Sequence, residues 1–541
     1  MGKKQMVDNE RGIFLRKASG LVRSASAFDV FIFNIGLISV GIGVGLLMYY
    51  GTAYYPNANI WAGSLFACLM MAFIAGGMLM WSVTLPRSGG IYVFGSRSLA
   101  PWLALTLSLV EIVAWQAMCA AAAYWIITLG IGPALGMIGY VGHMPNFVAA
   151  SVWIVSPWPL FLIGSAILVL SWWVCIGGMK RFLLSQKIAF AIAIIGSILM
   201  IGTLLAGSHD QFVASFNAIM APYIGADSYT AIIASAREKG WGVTEFSPLV
   251  NTLKVSNWAF LPLIGAAFSI AIAGEIKSVS RSQGIGMLGS IAITGILWVV
   301  TIFLANQVIG QDFIGAASFN SIEANGGLTT PADPAISLLT GVMFGSPILT
   351  ALLSIGIIAW MWLWIPGMHT FAVRAMAAWA FDRIAPEALG NVSPTRHTPV
   401  VGYTVSLIVT IVMMWFLVFT PVFSAVIVFI MMAILAWSII LLAGIWFPYT
   451  RPEIYSKSPI ANKKVFGLPI MSFYCFWGFL AAQFYFWNLW FDPIAAGHGT
   501  VQLETVGVVF LSGIIFYFVM AAYRKSQGID VRLAFKEIPI E

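Results

Sequence analysis

The stretch from Phe33 to Tyr50 reads FNIGLISVGIGVGLLMYY and contains no charged residue. Its middle, Gly41 to Gly45 (GIGVG), places three glycines at alternate positions of an otherwise apolar run. Glycine in a helix interior costs roughly 1 kcal/mol relative to alanine, so we expect this helix to be interrupted there, or closely approached by a neighbour. Close packing is the alternative explanation, because small residues are common where membrane helices meet.

A later apolar run contains a weaker signal for a helix interruption. There Pro262 precedes the sequence LIGAAF from Leu263 to Phe268. Interrupted helices at corresponding places in two halves of a chain indicate the substrate site of a transporter. The two runs are the first and the sixth along the chain, so each would begin one half of five helices.

The composition of the chain excludes a soluble protein. Of its 541 residues 60% are hydrophobic and only 9% are charged, with a mean hydropathy of +0.92, whereas a soluble domain carries about 25% charged residues. Long apolar runs such as 188–205 lack the alternation of barrel strands, so we expect an all-α integral membrane protein. Twelve apolar spans are predicted, near 28-50, 59-83, 101-129, 158-177, 184-207, 256-276, 285-309, 345-370, 399-419, 422-446, 467-490 and 502-522.

Positive charge sets the predicted orientation. An even number of spans puts both termini on one side, and with that side inside, all but three of the 27 Lys and Arg residues fall in cytoplasmic segments. The exceptions are Arg237, Lys239 and Lys254, in a long outer loop at about 208-255. We therefore expect a multi-pass protein of the cell membrane with cytoplasmic N- and C-termini. Its basic inner face suits the anionic lipid bilayer, so no nucleic acid partner is expected.

Several motifs resemble those of the amino acid-polyamine-organocation (APC) transporters. Residues 86–93 (PRSGGIYV), followed by Arg97 and Pro101-Trp102, are similar to that family's signature between helices 2 and 3. The glycine run resembles its I-G-x-G-I-F stretch in helix 1. Further similarities, in the family's order, are Glu275-Ile276-Lys277 with Arg281 after helix 6, Arg374, Asp382 and Pro386 at the end of helix 8, and Thr398-Pro399-Val400 before helix 9.

This resemblance implies one transmembrane transporter domain with the leucine-transporter-like APC fold. In that fold two inverted repeats of five helices (5+5) have helices 1 and 6 broken at mid-membrane, and two peripheral helices follow. The implied divisions are a cytoplasmic N-terminus 1-26, repeat 1 at 28-207, repeat 2 at 256-446, helices 11 and 12 at 467-522, and a cytoplasmic C-terminus 523-541.

The resemblance also implies a substrate site at the two breaks. Freed N–H groups of Gly43, Val44 and Gly45 would hold a substrate carboxylate, and carbonyls of helix 6 would hold its amine. The family carries G-F-E or G-F-D in many members where this chain has Gly265-Ala266-Ala267, and a coupling lysine in some members where this chain has Ala193. The implied substrate-binding residues are Ile42, Gly43, Val44, Gly45, Leu263, Gly265, Ala266 and Phe268.

Glu111 is the one acidic residue well inside a predicted span. An ionised side chain at that depth costs roughly 2.5 to 3.5 kcal/mol on insertion scales, so such a residue is a candidate for function. Proton coupling is one role, and ordering helices 1 and 3 around the site is another. The structural alternative is a protonated Glu111 that donates to a backbone carbonyl.

The predicted function is a secondary active transporter that moves amino acids by alternating access, either coupled to protons or by exchange. A same-fold transporter of a polyamine or nucleobase is an alternative, because fold does not fix substrate, and a non-transporting solute sensor is another. An enzyme is not expected, since five scattered histidines form no catalytic cluster. No cofactor and no metal site are expected, because the four cysteines all lie in apolar runs. The acidic residues predicted to be solvated in outer loops are Asp312, Glu323, Asp333, Asp492 and Glu504.

Overall fold

A computed structural model describes residues 23–323, 326–330, 333–420, 426–492, 494, 499–531 and 535. Most of the two predicted cytoplasmic tails lies outside these residues. The described chain is helical almost throughout, as predicted, and its one hairpin pairs Lys464–Val465 with Leu468–Pro469. Inner and outer denote the two sides in the predicted orientation, in which the first helix begins at the inner side.

The elements up to residue 206 correspond to the first predicted half. Two short π-helical stretches, Leu47–Gly51 and Ile126–Ile131, each continue one helix into the next. The α-helices are α1 (Ala27–Ile38), α2 (Val40–Leu46), α3 (Thr52–Tyr54), α4 (Ile60–Thr84), α5 (Ile91–Ser98), α6 (Pro101–Trp125), α7 (Gly132–Val141), α8 (Pro145–Ile154), α9 (Pro157–Ile176) and α10 (Met179–Ala206).

The long outer loop contains two helices, and the second predicted half follows it. A 3₁₀ stretch at Ile264–Glu275 continues α13, and a short 3₁₀ turn lies at Glu387–Gly390. The remaining helices are α11 (His209–Met220), α12 (Ser228–Glu238), α13 (Pro248–Leu263), α14 (Val279–Val308), α15 (Gln311–Glu323), α16 (Ile336–Val342), α17 (Pro347–Phe381), α18 (Val400–Phe419), α19 (Val426–Thr450), α20 (Pro452–Tyr455), α21 (Ile470–Trp490) and α22 (Thr500–Ser526).

Eleven helical stretches of the described chain are long and apolar enough to cross a membrane. The predicted span 467-490 coincides with α21 (Ile470–Trp490), which is not among these eleven. Twelve crossings and the two inverted repeats therefore stay predictions. Several helices are longer than their apolar runs, and α17 continues to Phe381 although its run ends near residue 370. Arg374 lies in this extension, where it is buried and paired with Glu275.

The core lies around the first, third and sixth spans. Their most apolar segments are 89%, 83% and 94% buried inside the protein, whereas that of α22 is 11% buried. A helix that is apolar all round and also buried all round belongs in the centre of a bundle. The two helices with predicted interruptions are thus surrounded by protein. Irregular backbone at membrane depth requires such surroundings, because protein or a water-filled cavity must supply hydrogen-bond partners for its N–H and C=O groups.

Both of these central helices are interrupted. Ser39 separates α1 from α2 with a left-handed backbone (φ 51°, ψ 80°). In helix 6 the α-helix ends at Leu263, directly after Pro262, and the 3₁₀ stretch that follows contains a non-helical residue at Ile272. The first break is therefore at Ser39 rather than within the glycine run, and the second extends over a longer segment than the sequence indicates.

Candidate functional site

A narrow cavity runs along the outer half of helix 1. Its volume is about 30 Å³, enough for roughly two water molecules. Helix 1 forms one wall, and the outer part of helix 3, the start of α16 and the middle of α17 form the others. The lining residues are Gly41, Ile42, Gly45, Leu46, Tyr49, Trp125, Leu129, Asp333, Ala335, Ile336, Ser337, Ile357 and Met361.

The N-terminus of α2 opens onto this cavity. Ser39 does not cap the helix, because its Oγ donates to the carbonyl of Trp360 at 2.9 Å. The first turn of a helix has no acceptors within its own helix, so the N–H groups of Val40, Gly41 and Ile42 carry the positive end of the helix dipole. Gly41 and Ile42 line the cavity, which places this end beside empty space at mid-span.

The glycine run is inside α2, which corrects the predicted role of its N–H groups. The N–H of Gly43 donates to the carbonyl of Ser39 at 3.1 Å, as in a regular helix. A Cβ on Gly43 would overlap the indole of Trp298, and one on Gly41 would lie 2.9 Å from Trp360. Close packing, the alternative explanation, therefore accounts for these two glycines. At Gly45 a Cβ would meet nothing within 4 Å.

The predicted residues of helix 6 lie apart from the cavity. Leu263, Gly265, Ala266 and Phe268 are all buried, and none of them lines it. A Cβ on Gly265 would collide with the backbone carbonyl of Leu37, so Gly265 lets the two interrupted helices touch. The same carbonyl of Leu37 accepts from the indole of Trp364. The structure therefore brings the two interrupted helices into direct backbone contact.

Phe268 belongs instead to an aromatic cluster around Glu111. Its ring centroid is 4.6 Å from that of Trp115, 4.8 Å from that of Phe371 and 6.2 Å from that of Trp437. Trp437 Nε1 donates to Glu111 Oε1 at 2.6 Å, and Glu111 is 1% exposed. The sequence predicts Glu111 but not its donor, because nothing distinguishes Trp437 among 22 tryptophans.

The hydrogen bond at Glu111 differs from the one expected if Glu111 is a protonated, purely structural residue. The bond seen is one that the carboxyl accepts from an indole, whereas the alternative requires one that it donates to a backbone carbonyl. Glu111 is a buried acid held between α6 and α19, and its aromatic neighbours pack against Phe268 of helix 6.

Two buried ion pairs close the inner side. Arg374 Nε lies 2.6 Å from Glu275 Oε1, and Arg97 Nη1 lies 2.7 Å from Asp382 Oδ2, with all four side chains 1% exposed. The first pair joins α17 to the end of helix 6, and the second joins the end of α17 to α5. The sequence motifs contain all four residues without indicating which of them pair.

Backbone contacts at the inner side add to this closure. The N–H groups of Ser24 and Ala25 donate to the carbonyl of Glu275, at 2.9 and 3.0 Å, and the N–H of Lys277 donates to Ala25 at 2.9 Å. The start of helix 1 is thereby bonded to the end of helix 6. In the described conformation the start of helix 1 is closed against helix 6 on the inner side, and on the outer side a second, open cavity of about 490 Å³ shares Asp333 with the narrow one.

Two outer acidic residues are less exposed than predicted, Asp333 in part and Asp492 almost completely. Asp333 lines the cavity, and its Oδ1 accepts from Tyr49 at 3.1 Å and from Ser321 at 2.6 Å. Asp492 is 1% exposed and accepts from Tyr55 at 2.5 Å. The prediction failed because both residues lie against the outer end of helix 1, where Tyr49 and Tyr55 donate to the two carboxylates. Asp312 does face solvent, 62% exposed beside Arg237.

No group of three or more His, Cys, Asp or Glu side chains that would suit a metal ion occurs within the described ranges. The interrupted helices, the cavity and Glu111 are therefore the candidate site.

Comparison with known proteins assigns the family. A search of curated proteins finds no match to the chain. The family model described as "Amino acid permease" matches residues 29–533, which include both interrupted helices, Glu111 and the two inner ion pairs. Members of this family are membrane transporters of the APC superfamily. The chain therefore belongs to the amino acid permease family of the APC superfamily, and it is a multi-pass membrane transporter of that kind.

Proposed function

We propose that the protein is a secondary active transporter that moves amino acids across the cell membrane by alternating access. The observation that carries this proposal is the uncapped N-terminus of α2, which lies at mid-span and opens onto an apolar cavity. Half-helix N-termini at this depth are used by transporters to hold anionic substrate groups.

The substrate carboxylate is proposed to bind the N–H groups of Val40, Gly41 and Ile42. These replace Gly43, Val44 and Gly45 of the sequence prediction as donors, because all three lie inside α2, where the N–H of Gly43 is already bonded. Gly45 leaves room for the substrate at the cavity wall, and Trp125 and Met361 contact its apolar part from the other side. At about 30 Å³ the cavity is too small for a whole amino acid, so α2 must separate from α17 for binding.

Carbonyls of helix 6 are proposed to receive the substrate amine in that wider state. Leu263, Gly265 and Ala266 keep this role, which requires Gly265 to move off the backbone of Leu37. Phe268 then covers the ligand from the aromatic cluster around Glu111. Inward release requires the opposite movement, in which the pairs Arg374–Glu275 and Arg97–Asp382 separate.

Coupling is proposed to involve Glu111, with protons as the coupling ion, and substrate exchange is the alternative. Support comes from its position: it is buried beside Phe268, and its bonded neighbour is a neutral indole rather than a cation. A carboxyl group in such surroundings changes its interactions strongly when it gains or loses a proton. A proton at Glu111 would thus alter the packing next to helix 6.

Uptake into proteoliposomes tests the proposed site. Gly45→Leu puts a side chain into the cavity at a position where a Cβ meets no neighbour. We expect this variant to fold normally and to lose amino acid binding and uptake. Gly202→Leu is the matched control, because Gly202 is also free of neighbours within 4 Å but lies outside the cavity. Normal uptake by Gly45→Leu would show that substrate does not pass along this wall.

A further inference from the structure

A larger cavity lies on the inner side, away from the proposed substrate path. Its volume is about 500 Å³, which is within the range of ligand pockets. It is bounded by the residues before α1, the end of α4, the start of α14 and the loop after α20. No residue that lines it also lines the outer cavity.

Three cationic side chains from distant parts of the chain line this space. They are Arg23, Arg281 and Lys457, and each is exposed. In the part of the chain that the structure describes, none of the three lies within 4.0 Å of a carboxylate. Like charges around one cavity repel each other, so an anion bound between them would be stabilised by all three.

The start of α14 adds further donors to the same cavity. This helix has 30 residues, and its N-cap Ser278 makes no side-chain capping bond. The first-turn N–H groups, which include those of Val279 and Ser280, therefore have no partner within the helix. Both residues line the cavity. The helix dipole contributes to the same positive potential as the three side chains.

We propose that this cavity binds a phosphate group at the inner surface of the membrane. Guanidinium groups and helix N-termini are both suited to phosphate oxygens. Basic pockets between membrane helices on the cytoplasmic side take anionic lipid headgroups. The phosphate belongs either to the headgroup of an anionic lipid or to free inorganic phosphate, and the chemistry of the site is the same for both.

The bound phosphate would link the two segments that meet at the inner closure. Arg23 is two residues before Ala25, and Arg281 is in the first turn after Lys277 and Ser278. Ala25 and Lys277 are the residues whose backbones bond the start of helix 1 to the end of helix 6. A phosphate held by Arg23 and Arg281 therefore stabilises the inner-closed conformation. The site does not depend on which solute is transported.

Thermal unfolding of the detergent-purified protein, titrated with three probes, tests the proposal. The probes are a short-chain phosphatidylglycerol, a phosphatidylcholine of the same chain length, and inorganic phosphate. The variant Arg23→Gln/Arg281→Gln/Lys457→Gln removes the three charges from exposed positions. The matched control Lys463→Gln/Lys464→Gln/Lys525→Gln removes the same charge from exposed residues that do not line the cavity.

We expect phosphatidylglycerol to raise the unfolding temperature of the unaltered protein saturably. The apparent affinity should fall about 100-fold in the cavity variant, since each basic residue near an anionic headgroup contributes on the order of 1 kcal/mol, and it should be unchanged in the control. Stabilisation by inorganic phosphate as well would identify free phosphate as a ligand, and its absence would identify the lipid. Equal stabilisation by phosphatidylcholine, no stabilisation by either anion, or an equal loss in the control variant would overturn the proposal.

Discussion

Gly43 and Gly45 are two residues apart on one helix and have different surroundings. A Cβ at Gly43 would overlap Trp298, whose Nε1 donates to the carbonyl of Val40 at 2.9 Å. We therefore expect Gly43→Ala to lower the free energy of unfolding by about 1–3 kcal/mol, the usual cost of overpacking. Gly45→Ala has no neighbour to displace inside α2 and should raise it by about 0.4–1 kcal/mol. Thermal unfolding in detergent measures both, and a normal unfolding temperature for Gly43→Ala would contradict the packing described here.

Glu111 allows a second prediction at the level of one side chain. Glu111→Gln imitates the protonated acid and still accepts from Trp437 through its amide oxygen. If Glu111 carries the coupled proton, this variant should retain exchange of labelled substrate across proteoliposomes and lose accumulation driven by a pH gradient. The measurement is uptake with and without the gradient. Gradient-driven accumulation equal to that of the unaltered protein would exclude the coupling role.

Side-chain identity and depth explain which single residues the sequence could predict. Glu111 was identifiable because a carboxyl inside an apolar run is costly wherever it points. Asp333 and Asp492 were expected in water because they lie in predicted outer loops, yet both accept bonds from tyrosines of helix 1. These contacts join residues more than 280 positions apart, and no local pattern records them.

At the scale of the elements, the buried ion pair between α17 and the end of helix 6 should make a large contribution to the free energy of unfolding. Removing one partner of a buried pair leaves the other charge uncompensated, at a cost of about 3–5 kcal/mol. We expect Arg374→Met to destabilise the protein by this amount and Arg374→Met/Glu275→Gln to recover much of the loss. Thermal unfolding of the two variants measures the difference.

The exposed pair Arg237–Asp312 provides the control for this prediction. Its side chains are 61% and 62% exposed and 3.3 Å apart, and pairs of this kind contribute about 0–1 kcal/mol. Arg237→Met should therefore change the unfolding temperature little. If Arg237→Met and Arg374→Met lowered the unfolding temperature equally, burial would not be the reason that the inner pair contributes to stability.

Apolar length was a good guide to the helices, and it was a poor guide to where they break. Eleven of the predicted spans correspond to helices of sufficient length and apolarity. The glycine run pointed to the correct helix but not to Ser39, because its glycines accommodate Trp298 and Trp360. The left-handed conformation of Ser39 is accompanied by a bond from its side chain to Trp360, a contact with a helix more than 300 residues away.

At the scale of the whole molecule, the orientation can be tested by labelling lysines. Lys239, Lys180 and Lys457 are all exposed. With both termini inside, an impermeant amine reagent added to right-side-out vesicles should modify Lys239 and leave Lys180 and Lys457 unmodified. Peptide mass spectrometry measures the modification, and permeabilised vesicles, in which all three should react, are the control. The reverse pattern would invert the topology.

The left-handed residue Ser39 has a mechanical consequence for the whole transporter. A continuous helix would carry a tilt at its inner end through to its outer end as a rigid rod. Here the inner rod, α1, is bonded to helix 6 through Ala25, while the outer rod, α2, is fixed by Trp298. One backbone unit joins the two rods, so the proposed alternating access requires rotation only at Ser39 for one rod to pivot while the other stays in place.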